Sequence, residues 1–164
     1  PASLEQLPPF EDYNMAGRTY RYMTADPLFP FGFGLSYTRF GYSDLELSAQ
    51  QIGKGESVEV SFTLSNLGSV EAEEVVQFYL SDLEASVTVP LHKLVGFQRV
   101  RLAPGEQRRL SYTITPEMMA LIDEDGRAVV EPGEFRITIG GCSPSARGEV
   151  LGAPSPVTGT FVLA

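Results

Sequence analysis

The segment Val58-Glu-Val-Ser-Phe-Thr-Leu64 alternates apolar and polar side chains without a break. Successive side chains of a strand point to opposite faces, so this pattern predicts a strand with one face in a core and the other in water. A second run, Val75-Val-Gln-Phe-Tyr-Leu80, is almost continuously apolar and predicts a central strand. These two segments indicate a β architecture.

Five further segments carry similar β patterns, at residues 45–47, 97–102, 110–114, 135–139 and 160–163. Turn-forming residues separate them. Asn66-Leu67-Gly68 tolerates positive φ, and the Pro-Gly pairs at 104–105 and 132–133 are each predicted to form a type II turn. Thr115-Pro116-Glu117 is typical of a helix start and predicts one short helix from Met118 to Ile122. We therefore expect an all-β, two-sheet antiparallel sandwich of about seven strands.

The alternation also predicts which side chains point between the two sheets. The period of two assigns one parity of each strand to the core. The expected core residues are Val60, Phe62, Val76, Phe78, Tyr112, Phe135 and Ile137.

Residues 1–40 differ in sequence pattern from the rest of the chain, because they show no sustained hydrophobic period and are rich in proline and aromatic residues. Proline at this density prevents long helices and central strands, while so many aromatic rings argue against disorder. We expect an extended arm over residues 1–40 and a sandwich over residues 41–164. Phe29, Phe31 and Phe33 are predicted to anchor the arm on a surface, with Gly32 and Gly34 letting the backbone approach it.

Composition excludes several classes of function. Twelve Lys and Arg against 21 Asp and Glu give a net charge of −9, which argues against binding nucleic acid. No apolar run is long enough for a membrane span. A single cysteine, Cys142, excludes an internal disulfide and a thiolate metal site. We predict no cofactor and no metal.

Other polar residues have ordinary explanations. His92 is the one histidine, and a lone histidine is usually a surface or capping residue rather than a catalyst. Asp123-Glu-Asp125 lacks the spacing of a calcium loop and is expected to be an acidic turn. Glu71, Glu73 and Glu74 are expected to form a solvated strand edge. No pair of acids is singled out for glycosidase chemistry by the residues alone.

Arg18, Tyr20 and Arg21 are the most unusual combination in the arm. Guanidinium groups make bidentate contacts or stack on rings, and a tyrosine can stack on a sugar face while its hydroxyl forms hydrogen bonds. Two interpretations are open. The three residues could contact a ligand, or they could only anchor the arm to a neighbouring domain.

Gly17-Arg-Thr-Tyr-Arg-Tyr22 followed by Pro30-Phe-Gly-Phe-Gly-Leu-Ser-Tyr37 resembles the junction segment of glycoside hydrolase family 3 enzymes, the β-glucosidases and β-xylosidases. The remainder is similar to the fibronectin type III-like domain at the C-terminus of those enzymes. The matching pieces, in order along the chain, are Ser65-Asn-Leu-Gly-Ser69, Glu74-Val-Val-Gln-Phe-Tyr79, Lys93-Leu-Val-Gly-Phe97, Leu102-Ala-Pro-Gly-Glu106 and Glu131-Pro-Gly-Glu-Phe135.

The resemblance implies an immunoglobulin or fibronectin type III-like sandwich that belongs to a retaining, exo-acting β-glycosidase. The family's nucleophile and acid/base lie on domains that precede this region, and no residue here matches either motif, so no catalytic residue is predicted. The chain is expected to be a non-catalytic accessory domain whose partners are the catalytic domains, with oligosaccharide binding and a homodimer as further possibilities. The resemblance makes Arg18, Tyr20 and Arg21 candidates for an outer sugar site and favours a periplasmic or extracellular location.

An independent carbohydrate- or protein-binding immunoglobulin-like module is the alternative. It differs in the role of the arm, because a free module has no need for an aromatic-rich segment that must cover a surface.

Overall fold

The computed structural model describes residues 1–164 and contains ten strands and three short α-helices. The strands are β1 (Phe40–Leu47), β2 (Gln51–Ile52), β3 (Val58–Asn66), β4 (Ala72–Asp82), β5 (Lys93–Leu102), β6 (Gln107–Ile114), β7 (Leu121–Ile122), β8 (Ala128–Val129), β9 (Gly133–Gly140) and β10 (Val157–Leu163). The helices are α1 (Thr19–Tyr22), α2 (Pro116–Met119) and α3 (Ala146–Val150), and a 3-10 turn covers Leu4–Gln6. Seven strands have seven residues or more, and each contains one of the seven predicted β segments.

The strands form two facing sheets, which confirms the all-β sandwich. One sheet has the order β1-β3-β6 and the other β2-β10-β9-β4-β5, while β7 and β8 pair separately. All pairings are antiparallel except that of the two-residue β2 with β10. The run from Val75 to Leu80 lies in β4, between β9 and β5, so its interpretation as a central strand is confirmed.

The core lies between the sheets and contains the residues that the alternation assigned to it. Six of the seven expected residues are at most 1% exposed: Val60, Phe62, Val76, Phe78, Phe135 and Ile137. The seventh, Tyr112, is only half-buried. Its ring stacks on Phe78 with centroids 4.1 Å apart, and its hydroxyl donates to the Val95 carbonyl at 2.9 Å. A phenol at the margin of the core keeps its polar end paired in this way.

Two local predictions are wrong. The helix predicted over Met118–Ile122 instead covers Pro116–Met119, because Leu121 and Ile122 pair with Val129 and Ala128 in a short ladder. The Pro132-Gly133 pair does not form the type II turn, since Gly133 has φ 158° instead of about 80° and is the first residue of β9. In contrast, Gly105 has φ 71° and the Glu106 amide donates to Ala103, as a type II turn requires.

The arm joins the sandwich at a buried asparagine, Asn66. Its amide oxygen accepts from the Thr38 hydroxyl at 2.6 Å and from the Gly68 amide at 3.1 Å. Its amide nitrogen donates to the carbonyls of Val70 and Leu102. A Cβ at Gly68 would lie 2.0 Å from the Thr38 hydroxyl, so this turn requires glycine because of the close approach rather than positive φ.

No helix in the structure has the length and apolarity needed to cross a membrane.

Candidate functional site

Arg18 organises the first part of the arm. Its guanidinium donates to the carbonyls of Asn14, Pro9 and Asp12, at 3.1, 3.1 and 2.5 Å. These bonds gather the irregular N-terminal segment around one side chain, which supplies the backbone partners that a segment without regular structure lacks. The donors of Arg18 are thus directed at the arm itself, and its outer-site role stays a prediction.

α1 turns the arm back onto the sandwich. Gly17 has φ 70° and Thr19 φ 53°, an uncommon value for a β-branched residue. The Gly17 amide donates to the Tyr22 carbonyl at 3.3 Å, which closes the turn. The Leu91 amide then donates to the Arg21 carbonyl at 2.7 Å, so α1 is tied to the loop that precedes β5.

Tyr20 packs in an aromatic group at the sheet surface. Its ring stacks on Phe31 with centroids 4.3 Å apart and meets Tyr79 edge-on at 6.1 Å. Tyr79 is fully buried on the outer side of β4, and the His92 ring lies nearly perpendicular to it with centroids 6.3 Å apart. Burial lowers the pKa of His92. The ring of Tyr20 is therefore used for packing within the chain, and contact with a sugar stays a prediction for it.

Gln77 fastens the arm to the same face of β4. Its amide nitrogen donates to the carbonyls of Gly32 and Gly141, at 3.2 and 2.7 Å. Gly32 has φ 77°, and a Cβ there would lie within 2.2 Å of the Gln77 amide. The Ser143 amide adds a bond to the Phe31 carbonyl at 2.8 Å. The arm thus covers part of the outer face of its own five-stranded sheet.

The three predicted anchor residues have different surroundings. Phe31 stacks on Tyr20, whereas Phe29 and Phe33 stack on each other with centroids 5.9 Å apart. Phe29 and Phe31 remain substantially exposed. The last part of the arm is even more exposed, with Leu35 92% and Tyr37 101% accessible to solvent. The aromatic pairs of all three rings lie within the arm, and Phe31 is tied to the sandwich by the bond that its carbonyl accepts from Ser143.

Arg21 lines a cavity of about 310 Å³ at one end of the sandwich. Its guanidinium Nε is buried and makes no hydrogen bond. Lys93, the first residue of β5, lines the same cavity, with Nζ 3.4 Å from the Met118 carbonyl and 3.5 Å from that of Ala120. Neither cation takes part in any of the five ion pairs of the chain.

The two cations affect each other. Burial lowers the pKa of Lys93, and the positive charge of Arg21 lowers it further. Asp82, at the end of β4, also lines the cavity, and burial raises its pKa. The charges of Glu131 and Glu84 raise its pKa as well. Asp82 forms no ion pair with either cation.

The acidic segments are part of turns and strand pairings. Asp123 accepts from the Arg127 amide at 2.8 Å, and Asp125 pairs with the Arg127 side chain at 3.2 Å. No group of three or more His, Cys, Asp or Glu side chains is placed to hold a metal ion. Glu71 and Glu73 pair with Arg101 and Arg99 across the β4–β5 ladder.

Glu74 differs from its neighbours in the sequence, because it is not a solvated edge residue. Its carboxylate oxygen would lie 3.0 Å from a Cβ placed on Gly141, and the Tyr42 hydroxyl would lie 3.8 Å from the same point. Burial is the largest cause that raises the pKa of Glu74. It raises the pKa of the Tyr42 phenol too, and the charge of Glu74 adds to that effect.

Sequence reasoning missed Gln77, Tyr79, Lys93 and Asp82 as parts of the site. A signal was present for the first two, because the run Val75–Leu80 lacks the alternate polar side chains of a strand that has one face in water. A strand that is apolar on both faces needs a cover on both faces, and the arm is the cover of the outer one. Lys93 and Asp82 had no signal, since their meeting depends on how the ends of β4 and β5 approach α1.

Comparison with known proteins gives the chain a family. Residues 74–143 match the model of the fibronectin type III-like domain. A putative β-xylosidase of Formosa agariphila is 41% identical over 144 residues, which cover 85% of this chain and 19% of that protein. The β-glucosidase BoGH3A of Bacteroides ovatus is 40% identical over 141 residues, with the same coverage of 85% and 19%. The chain thus spans about a fifth of the length of these relatives.

Solved structures agree with this result. A β-glucosidase of Erythrobacter marinus superposes with a TM-score of 0.76 at 34% identity, over 98% of this chain and 20% of that one. β-Glucosidase 3B of Thermotoga neapolitana gives a TM-score of 0.72 at 31% identity, over 87% and 18%. Together with the sandwich and the ordered motifs, these matches show that the chain belongs to the fibronectin type III-like domains of glycoside hydrolase family 3 enzymes.

Proposed function

We propose that the chain is the non-catalytic accessory domain of an exo-acting β-glycosidase that hydrolyses β-linked glucosides or xylosides. In this proposal, residues 1–40 form the junction arm and residues 41–164 the sandwich that braces the catalytic domains. The observation that carries it is the match over most of the chain to about a fifth of several β-glucosidases and β-xylosidases. The alternative is an independent carbohydrate- or protein-binding immunoglobulin-like module, and a match to the same part of several larger enzymes favours the accessory domain over it.

The exposed end of the arm is the proposed contact with the catalytic domains. Leu35 and Tyr37 are almost fully exposed, and Tyr37 has no aromatic partner in the chain. Aromatic and aliphatic side chains that are bare in one domain become favourable contacts when another domain covers them.

A pair of measurements tests the bracing role. Purified alone, the chain should not hydrolyse aryl β-glucosides or β-xylosides, and turnover that survives purification would disprove the accessory role. Tyr37→Ala should leave the melting temperature of the isolated chain unchanged and lower that of the parent enzyme. Phe97→Ala serves as the control, because Phe97 is also an exposed aromatic residue but lies on β5 rather than in the arm. Equal melting of the parent enzyme with and without Tyr37→Ala would refute the contact.

Arg18, Tyr20 and Arg21 remain our proposal for residues near an outer sugar site. Arg21 is the best supported of the three, because its Nε is buried without a partner, whereas Arg18 and Tyr20 have partners in the arm. In the parent enzyme, Arg21→Ala should raise KM or lower kcat, and unaltered kinetics would exclude this role. Oligosaccharide binding and a homodimer stay predictions.

A further inference from the structure

The cavity between α1 and the start of β5 has the character of a ligand site rather than of a packing defect. Its volume of about 310 Å³ lies at the lower end of the ~300–1,000 Å³ range of small-molecule pockets. Cavities that stay empty inside proteins are lined by apolar groups. Here two cationic side chains, Arg21 and Lys93, face the same space as Asp82.

The cations indicate the charge of the occupant. Arg21 has a buried Nε without a hydrogen bond, and Lys93 has only two long contacts to carbonyls. Two partly buried positive charges without a counter-ion are unfavourable, and an anion in the cavity would relieve both. A carboxylate suits this pair because it accepts from guanidinium and ammonium groups at once.

The other walls indicate that the occupant also carries hydroxyl groups. Asp82 and Thr88 lie in the lining, and only one oxygen of Asp82 is engaged, by the Glu84 amide at 3.1 Å. Asp82 would repel a bare carboxylate but accepts hydrogen bonds from hydroxyl donors. Met118, Leu121 and Val89 supply apolar surface that can cover the C–H face of a ring.

We propose that this cavity binds a uronic acid, a sugar unit whose carboxylate lies between Arg21 and Lys93 and whose hydroxyl groups face Asp82 and Thr88. The proposal rests on the proposed function, because it gives the accessory domain an acidic sugar to bind beside a glycosidase. An acidic side chain from a catalytic domain is the other source of a carboxylate, and it lacks the ring hydroxyls.

Titration calorimetry on the 164-residue chain with sodium glucuronate, glucose and sodium acetate tests the site. Glucuronate should bind at least about tenfold more tightly than either of the others, since glucose lacks the charge and acetate lacks the ring hydroxyls. Equal binding of glucose would overturn the role of the cations. Equal binding of acetate would overturn the sugar and favour the acidic side chain.

Variants then locate the binding. Arg21→Gln and Lys93→Gln should each weaken glucuronate binding about tenfold, while Arg101→Gln, an exposed arginine on β5, should leave it unchanged. Undiminished binding by both cavity variants, or no binding of glucuronate by the unaltered chain, would overturn the proposal. The comparison of the three ligands needs no variant, so it decides the matter even if one substitution impairs folding. Because the chain is tested without catalytic domains, a negative result leaves the bracing role untouched.

Discussion

The phenol of Tyr79 donates to the amide oxygen of Gln77 at 2.5 Å, two residues back on the same face of β4. This bond orients the amide, because an oxygen that accepts from Tyr79 leaves the nitrogen facing the carbonyls of Gly32 and Gly141. The two residues therefore form one unit that joins the arm, β4 and the end of β9.

Breaking the Tyr79–Gln77 bond should release the arm while the sandwich stays folded. Tyr79→Phe removes one donor and should lower the free energy of unfolding by about 1–3 kcal/mol, because the Gln77 oxygen stays buried without its partner. Hydrogen exchange should rise in residues 19–34 and change little in β3. Tyr112→Phe, which removes another phenol hydroxyl, is the comparison, since its bond goes to the Val95 carbonyl and not to the arm or to Gln77. Equal exchange across the whole chain would contradict a separate release of the arm.

Gly32 and Gly34 give a matched pair for the docking of the arm. Gly32→Ala should loosen the arm, because its φ of 77° is costly for alanine and the new Cβ would overlap the Gln77 amide. Gly34→Ala should be neutral or slightly stabilising, since no atom lies within 4 Å of the point that its Cβ would occupy and its φ is not positive. Limited proteolysis of the arm measures the difference, and equal cleavage of the two variants would contradict it.

Phe62 should be among the residues that matter most for stability. It is fully buried between Tyr42 and Phe78, at centroid distances of 6.1 and 6.0 Å. Phe62→Ala should cost about 3–5 kcal/mol in urea unfolding, a large part of the ~5–15 kcal/mol of an ordinary domain. Phe97→Ala, on the exposed side of β5, is the control and should change stability by less than about 1 kcal/mol. A small effect at Phe62 would show that the core is not packed around this ring.

Glu74 should make stability depend on pH in a defined direction. Burial raises the pKa of this carboxyl above its ordinary value of 4.5, so the folded state favours the protonated form. The stability it contributes is present below the unfolded pKa and is lost as pH rises through the folded pKa. Glu74→Gln should therefore stabilise the chain at about pH 7 and have little effect at about pH 4.

Urea unfolding of both proteins at the two pH values gives the difference directly. Glu59→Gln, an exposed acid on β3, is the control and should show no such change. A Glu74→Gln protein that is less stable than the unaltered chain at neutral pH would mean that the carboxylate is stabilised by a partner rather than hindered by burial.

The strands could be predicted from the sequence because of two patterns. Some alternate apolar and polar side chains, as β3 does, and β4 contains an almost continuous apolar run. The helix over Met118–Ile122 was wrong because Leu121 and Ile122 also suit a strand, and their pairing with Ala128 and Val129 is a tertiary choice. Pro132-Gly133 has the same two residue types as Pro104-Gly105, but Gly133 pairs with Leu163 of β10 and is therefore part of a strand rather than of a turn. Local patterns do not contain such long-range pairings.

The site could be predicted only in part. The sequence singled out Arg18, Tyr20 and Arg21, because two guanidinium groups lie among phenol rings within a few residues. Their different partners could not be predicted, since Arg21 meets Lys93 only after the arm has folded back across 72 residues of sequence to the start of β5. Tyr79 was assigned to the sheet, but the ring that covers it, Tyr20, comes from the arm.

Because the arm covers the outer face of β4, it determines where this domain can be cut and exchanged between enzymes. A chimaera joined at residue 40, where the first strand begins, would carry Gln77 and Tyr79 into water with their partners left behind. A junction placed before Gly17 would carry α1, the stacked rings and Gly32 along with the sheet. Grafts cut at the earlier point should stay soluble, whereas those cut at the strand boundary expose an aromatic surface that invites aggregation.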